Sequence, residues 1–126
     1  MKNKMLIKDI LNPSMTFHIN DMLRIESTND RFLGPGRIEL LEKIIETGSI
    51  SQAAKLMGMS YKKAWDSIHS INQQTVTPIV ITQAGGEKGG GTIVTDEGKL
   101  LIASFKQLHA DIRLYFSEKI ETFLQS

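Results

Sequence analysis

The chain has 126 residues, of which 40% are apolar and none is cysteine, a size and composition that suit one domain, or one domain with an extension, built round a real core. Fifteen Lys and Arg against fourteen Asp and Glu leave a formal charge of +1, so a nucleic-acid role has to rest on where the charges sit rather than on their sum. Without cysteine, disulfides and thiolate metal sites are excluded. No stretch reads as a signal segment or a membrane span, so a cytoplasmic protein with no membrane partner is the default expectation.

Residues 1–14 show no clean period and end in Asn12-Pro13-Ser14, a loosely held lead-in. From Thr16 to Glu26, Phe17, Ile19, Leu23 and Ile25 alternate with polar neighbours, which predicts a strand with an irregularity near Asn20-Asp21. Ser27-Thr28-Asn29-Asp30 is turn chemistry, and Arg31-Phe32-Leu33 returns as a short second strand of a hairpin. Gly34-Pro35-Gly36 resets the chain, after which Ile38, Leu41, Ile44 and Ile45 mark an amphipathic helix stopped by Gly48.

A second helix of about two turns follows, capped by Ser49 or Ser51, with Ala53, Ala54, Leu56 and Met57 on its buried side and Gly58 at its end. Ser60 is the natural N-cap of a third helix from Tyr61 to about Gln74, and the short glycine-containing link suits two helices crossing steeply. Two β-branched runs, Pro78 to Thr82 and Thr92 to Val94, then enclose a glycine-rich tip and predict a β-ribbon. Thr95-Asp96-Glu97 opens a long final helix that runs nearly to the C-terminus.

The third helix carries the chemistry. At about 100° per residue, Tyr61, Ala64, Trp65, Ile68, Ile71 and Asn72 share one side, and Lys62, Lys63, Asp66, Ser67 and Ser70 the other. A recognition helix in the major groove meets base edges and phosphates with its N-terminal residues, and lysine suits guanine acceptors or phosphate oxygens. Free backbone N–H groups in the first turns, here and at Ser49 to Gln52, can bind phosphates directly. A charged face is also the usual state of any exposed helix; the short preceding helix and the glycine turn are what favour the groove. For Tyr61 and Trp65, near the apolar stripe, core packing is favoured over stacking on bases.

The segment from Ala84 to Thr92 is no P-loop, because no glycine-lysine-serine/threonine step follows. As a wing it asks less: its glycines let the backbone approach a phosphate strand and Lys88 adds a cation, the alternative being a merely flexible hairpin tip. His18, His69 and His109 share no ligand spacing, no nucleophile elbow occurs, and Glu39, Glu42 and Glu46 read as a solvated face, so neither a catalytic nor a metal site is expected. In the final helix Leu101, Phe105, Leu108, Ile112 and Tyr115 form a coiled-coil-like seam, which Phe116 continues with the stripe rotated. A helix of about 28 residues, roughly 40 Å long, exceeds what one small domain covers at both ends. The alternatives are a partner copy or a fold-back on its own domain.

Gly48-Ser49-Ile50-Ser51-Gln52-Ala53-Ala54-Lys55 and Met59-Ser60-Tyr61-Lys62-Lys63-Ala64-Trp65-Asp66 resemble the N-terminal domain of the molybdate-responsive regulators (ModE), a LysR-like winged helix. The run from Phe32 to Leu41, the Gly-Gly-x-Lys-Gly-Gly-Gly segment and Thr95-x-x-Gly98 match short members of that family, and the resemblance covers about residues 15–115. It implies a bacterial-type transcription factor that binds double-stranded DNA and dimerises through its first and last helices. Ser49, Ser51 and Gln52 would touch phosphates, and Lys62, Lys63, Asp66 and Ser67 would read the groove, with Ser60, Tyr61 and Ser70 beside them. Gly86, Lys88, Gly89 and Gly90 would form the wing. Full-length members carry C-terminal molybdate-binding domains, and the expectation here is a short form without them. No cofactor is evident, and molybdate enters by family analogy alone.

The expected fold is mainly α with a small β component: a winged helix-turn-helix with an N-terminal β-hairpin and a long C-terminal dimerisation helix. The expected division is a lead-in over 1–14, a DNA-binding domain over 15–95 and a dimerisation helix over 96–126. The expected function is a non-enzymatic, sequence-specific transcriptional regulator that binds a palindromic operator as a homodimer through residues 60–74 and the wing at 82–94. The alternatives are a winged-helix module that binds a partner polypeptide and a molybdate- or tungstate-responsive regulator.

Overall fold

The computed structural model describes residues 4–28, 30–83 and 91–126. In chain order its elements are α1 (Ile7–Ile10), β1 (Ile25–Glu26), β2 (Arg31–Leu33), α2 (Pro35–Thr47), α3 (Ile50–Leu56), α4 (Tyr61–Gln73), β3 (Val80–Thr82), β4 (Thr92–Val94) and α5 (Asp96–Leu124). This is the mainly helical winged helix-turn-helix with an N-terminal hairpin and a long last helix that the sequence predicts. The chain groups into two compact units: Met22–Lys106, and Met1–Asp21 with Gln107–Ser126.

Within Met22–Lys106, backbone chemistry sets the helix limits. Gly34 precedes α2 and Pro35 occupies its first turn, where a missing N–H costs nothing. Gly48, at φ +69°, closes α2 by donating to the Ile44 carbonyl at 2.7 Å. Ile38, Leu40, Leu41 and Ile44 of α2 pack with Ile50, Ala53 and Ala54 of α3 and with Ala64, Ile68 and Ile71 of α4. Ile79, Val80, Val94, Ile102 and Phe105 close the same core. β3 and β4 pair antiparallel, Val80 opposite Val94 and Thr82 opposite Thr92, and Thr92 N–H donates to the Gly48 carbonyl at 2.9 Å. That bond ties the loop-side end of the ribbon, at Thr92, to the C-terminal end of α2.

In the other unit, Asn12 Oδ1 accepts from Ser14 N–H at 2.9 Å, the turn expected there. Ile7 N–H donates to the Ser126 carbonyl at 2.8 Å, and Arg113 Nε meets Asp21 Oδ2 at 3.0 Å. Within the expected lead-in, residues 7–10 form one helical turn.

Other expectations are corrected. The strand over Thr16–Glu26 shrinks to Ile25–Glu26, and its irregularity falls between those two residues, not at Asn20-Asp21. Alternation alone does not make a strand: a ladder partner is required, and β2, three residues long, supplies one only for its end. Phe17 and Ile19 accordingly stay exposed. In α3 the buried arc is Ile50, Ala53 and Ala54 with Met57 beside it, whereas Leu56, a third of a turn away, is 59% exposed. In α2 Leu40 completes the buried arc; Ile45 sits at its edge, in a shallow hollow beside Lys99 and Ile102.

Candidate nucleic-acid interface

α3 and α4 are held by matched caps. Ser49 Oγ accepts from Gln52 N–H and Ser60 Oγ from Lys63 N–H, both at 3.1 Å. Between them, Gly58 at φ +64° lets Met59 N–H donate to the Ala54 carbonyl at 3.0 Å and Gly58 N–H to the Lys55 carbonyl at 3.1 Å. This crossed pair satisfies the last carbonyls of α3 and turns the chain sharply into α4. On α4, Ala64, Ile68 and Ile71 bury the helix against the core, which leaves the opposite face outward.

That outward face borders a concavity of about 660 Å³. Lys62, Lys63, Asp66, Ser67 and Ser70 line one wall together with Ser60. Arg24, Asp30, Arg31 and Arg37, from the hairpin and the start of α2, line the other. The sequence reading missed this second wall, whose one trace in the chain is three arginines between positions 24 and 37.

The predicted residues differ in how free they are. Lys62 pairs with Asp66 at 2.9 Å, both side chains well exposed; Lys63 forms no ion pair among the described residues. Ser51 and Gln52 are exposed in the first turn of α3, Ser49 and Ser60 cap their helices, and Ser67 is half-buried. Ser70 is bound into the protein: its hydroxyl donates to Asp30 Oδ2 at 3.0 Å and accepts from Arg37 Nη1 at 3.1 Å and Gln74 Nε2 at 3.2 Å. Tyr61 and Trp65 are 56% and 44% exposed, against the favoured reading of core packing. The Trp65 ring stacks instead on His69, centroids 4.8 Å apart. Gly86, Lys88, Gly89 and Gly90 lie outside the described residues.

Electrostatics follow the same network. The Arg31 backbone N–H and then the Ser70 hydroxyl hold the Asp30 carboxyl below the ordinary aspartate range, with Arg37 and Arg31 adding to the effect. Burial pushes the Arg37 guanidinium down and Asp30 opposes it; it stays charged at any neutral pH.

In α5, Phe105 of the expected seam is buried in the core of its own chain and Leu101 packs partly against that core. Ile102, which is not one of the seam residues, is buried as well. Leu108 and Tyr115 are exposed, and Ile112 and Phe116 are half-buried. Glu42 pairs with Lys106 and Glu46 with Lys43. Among the described residues no group of three or more His, Cys, Asp or Glu is placed to hold a metal, and no helix is long and apolar enough to cross a membrane.

Residues 36–99 match the family described as bacterial regulatory helix-turn-helix protein, lysR family. The chain is 44% identical over 79 residues to the molybdenum transport protein ModE of Azotobacter vinelandii, across 63% of this chain and 29% of that protein. It is 41% identical over 88 residues to the molybdenum-pterin-binding protein MopB of Rhodobacter capsulatus, across 70% and 32%. It is also 41% identical over 87 residues to the DNA-binding transcriptional dual regulator ModE of Escherichia coli (strain K12), across 69% and 33%. The match thus spans about a third of the length of these relatives, within a family of regulators rather than enzymes.

Proposed function

From the premise that this chain belongs to the lysR-type bacterial regulatory helix-turn-helix family, we propose that it is a transcriptional regulator that reads a palindromic DNA operator as a homodimer. The observation that carries the reading is the outward face of α4, where the exposed Lys62 and Lys63, the half-buried Ser67 and the Ser60 cap lie opposite the core-packed side of a helix entered through the Gly58 turn. In that geometry a helix can enter the major groove and present its first two turns to base edges. Five cations against two carboxylates round the adjoining concavity support a polyanionic partner over a polypeptide one.

Two copies are favoured by the apolar side chains left exposed on α5, among them Leu108 and Tyr115. With two recognition helices about one DNA turn apart, a palindrome is the matching site. The wing at 82–94 is proposed to touch backbone beside the groove. The names of three relatives carry molybdenum or ModE, which favours a response to molybdate or tungstate as a second reading.

Selection from random duplexes followed by fluorescence anisotropy across a salt series tests both. The expected result is one enriched palindrome, bound with an affinity that falls steeply with salt. Lys63→Ala weakens binding more than Lys62→Ala, because Lys62 is already shared with Asp66. No enriched site at moderate salt overturns the DNA reading. Unchanged affinity on adding molybdate or tungstate removes the second reading alone.

A further inference from the structure

We propose that the β1–β2 hairpin is a second DNA-contacting element, in which Arg24 and Arg31 reach the phosphate backbone on the side of the groove away from the wing. The inference rests on the reading of α4 as the helix that enters DNA. It goes beyond that reading by assigning a role to residues that precede the family match at 36–99.

Three observations carry it. Both arginines are exposed and line the same concavity as Lys62, Lys63 and Ser67, so the hairpin and the groove-facing side of α4 share one cationic surface. Among the described residues neither guanidinium pairs with a carboxylate within 4.0 Å. The hairpin is also tied to α4 rather than left loose: Ser70 bonds Asp30, and Gln74 Nε2 donates to the Arg31 carbonyl at 2.7 Å. Arg37 Nη1 donates to that same carbonyl at 2.8 Å. The backbone from which Arg31 projects is therefore fixed relative to the recognition helix.

Placement along α2 gives the direction. β2 runs straight into the N-terminus of α2 at Gly34, whereas the ribbon is bonded to Gly48 at its other end. A helix of 13 residues is about 20 Å long, and the major groove is about 12 Å wide. A recognition helix seated in the groove leaves a phosphate strand on each side. The ribbon lies at one end of α2 to meet one strand, and the hairpin at the other end to meet the second. Arginine suits this task because its planar fork matches two phosphate oxygens and is always charged.

The test uses the full chain and the enriched palindrome, with anisotropy measured from low to moderate salt. The double variant Arg24→Ala/Arg31→Ala is expected to lower the slope of log affinity against log salt by about 1–2 per protomer. Its affinity at moderate salt is expected to fall at least tenfold for palindrome and random duplex alike, because phosphate contacts carry no sequence information. Arg24→Lys/Arg31→Lys should restore most of the slope, and circular dichroism should show all three proteins folded.

A double alanine variant with wild-type slope and affinity, alongside a weakened Lys63→Ala, overturns the hairpin role and leaves the α4 reading standing. Lost affinity with an unchanged slope overturns it too, since that marks a displaced α4. Inorganic phosphate that binds wild type but not the double variant, again with the DNA slope unchanged, assigns the arginines to a small anion and also overturns it. If wild type binds no duplex above a non-specific competitor, both readings fall together.

Discussion

A Cβ built on Gly98 would lie 2.6 Å from Val94 Cγ1 and 2.8 Å from the Ile79 carbonyl oxygen. The valine methyl can move, but that carbonyl is backbone and already accepts from Thr95 N–H at 2.9 Å. Glycine in a helix ordinarily costs up to about 1 kcal/mol against alanine, whereas overpacking costs about 1–3 kcal/mol; here the second effect wins. Gly98→Ala is therefore expected to lose about 1–2 kcal/mol in urea denaturation, and a variant at least as stable as wild type would refute this. The same contact gives Thr95-x-x-Gly98 its physical meaning: Thr95 Oγ1 accepts from Gly98 N–H at 3.1 Å to open α5, and the glycine clears room for Ile79 and Val94. Asp30 offers a titration test. Its folded pKa is lowered by the Arg31 N–H and the Ser70 hydroxyl, so its contribution to stability is fully present above the ordinary aspartate range. That contribution is lost as pH falls through the lowered value. Carboxyl NMR should find the Asp30 midpoint below the ordinary aspartate value; a midpoint at or above that value would count against the Arg31 N–H and Ser70 hydroxyl bonds to this carboxylate.

Caps and turns were legible in the chain because they are local. Ser60, Gly58 and Gly48 act within four residues of where they stand, and α4 begins where Ser60 predicts, closing at Gln73 beside the expected Gln74. Side-chain environment was less legible, because it depends on what the fold brings near. Leu56 and Trp65 are apolar by composition, yet both keep large exposed areas, and the Trp65 ring stacks on His69 of its own helix. Asn72, placed with the apolar set, has a different task. Its Nδ2 donates to the Val80 carbonyl, and its Oδ1 accepts from Ile79 N–H and Val80 N–H, which pins the start of the ribbon to the end of α4. The hairpin wall was least visible. Its bonds to α4 join residues 33–43 positions apart, a separation that neither a period of 2 nor one of 3.6 encodes. Ser70 shows the consequence: helical phase puts it on the groove-facing side, but its hydroxyl serves the hairpin.

At the scale of the whole molecule the open question is what covers α5. Its buried positions, Gly98, Ile102 and Phe105, belong to the unit Met22–Lys106, while Leu108 and Tyr115 beyond them remain exposed. The seam read from sequence thus divides: Phe105 and Leu101 serve the chain's own core, Ile112 and Phe116 are half-buried, and Leu108 and Tyr115 are exposed. Charges placed at Leu108 and Tyr115 should separate assembly from folding, since both lie outside the core cluster. Leu108→Glu/Tyr115→Glu is expected to sediment as a monomer with an unchanged helical signal. Linking two binding modules ordinarily raises avidity by about 10²–10⁴-fold over one, so the monomer should lose at least 10²-fold on a palindrome while its affinity for a single half-site stays as it was. A variant that still sediments as a dimer would place the interface elsewhere on the chain. A variant that becomes monomeric yet holds the palindrome as tightly as wild type would show that one copy suffices to read the operator.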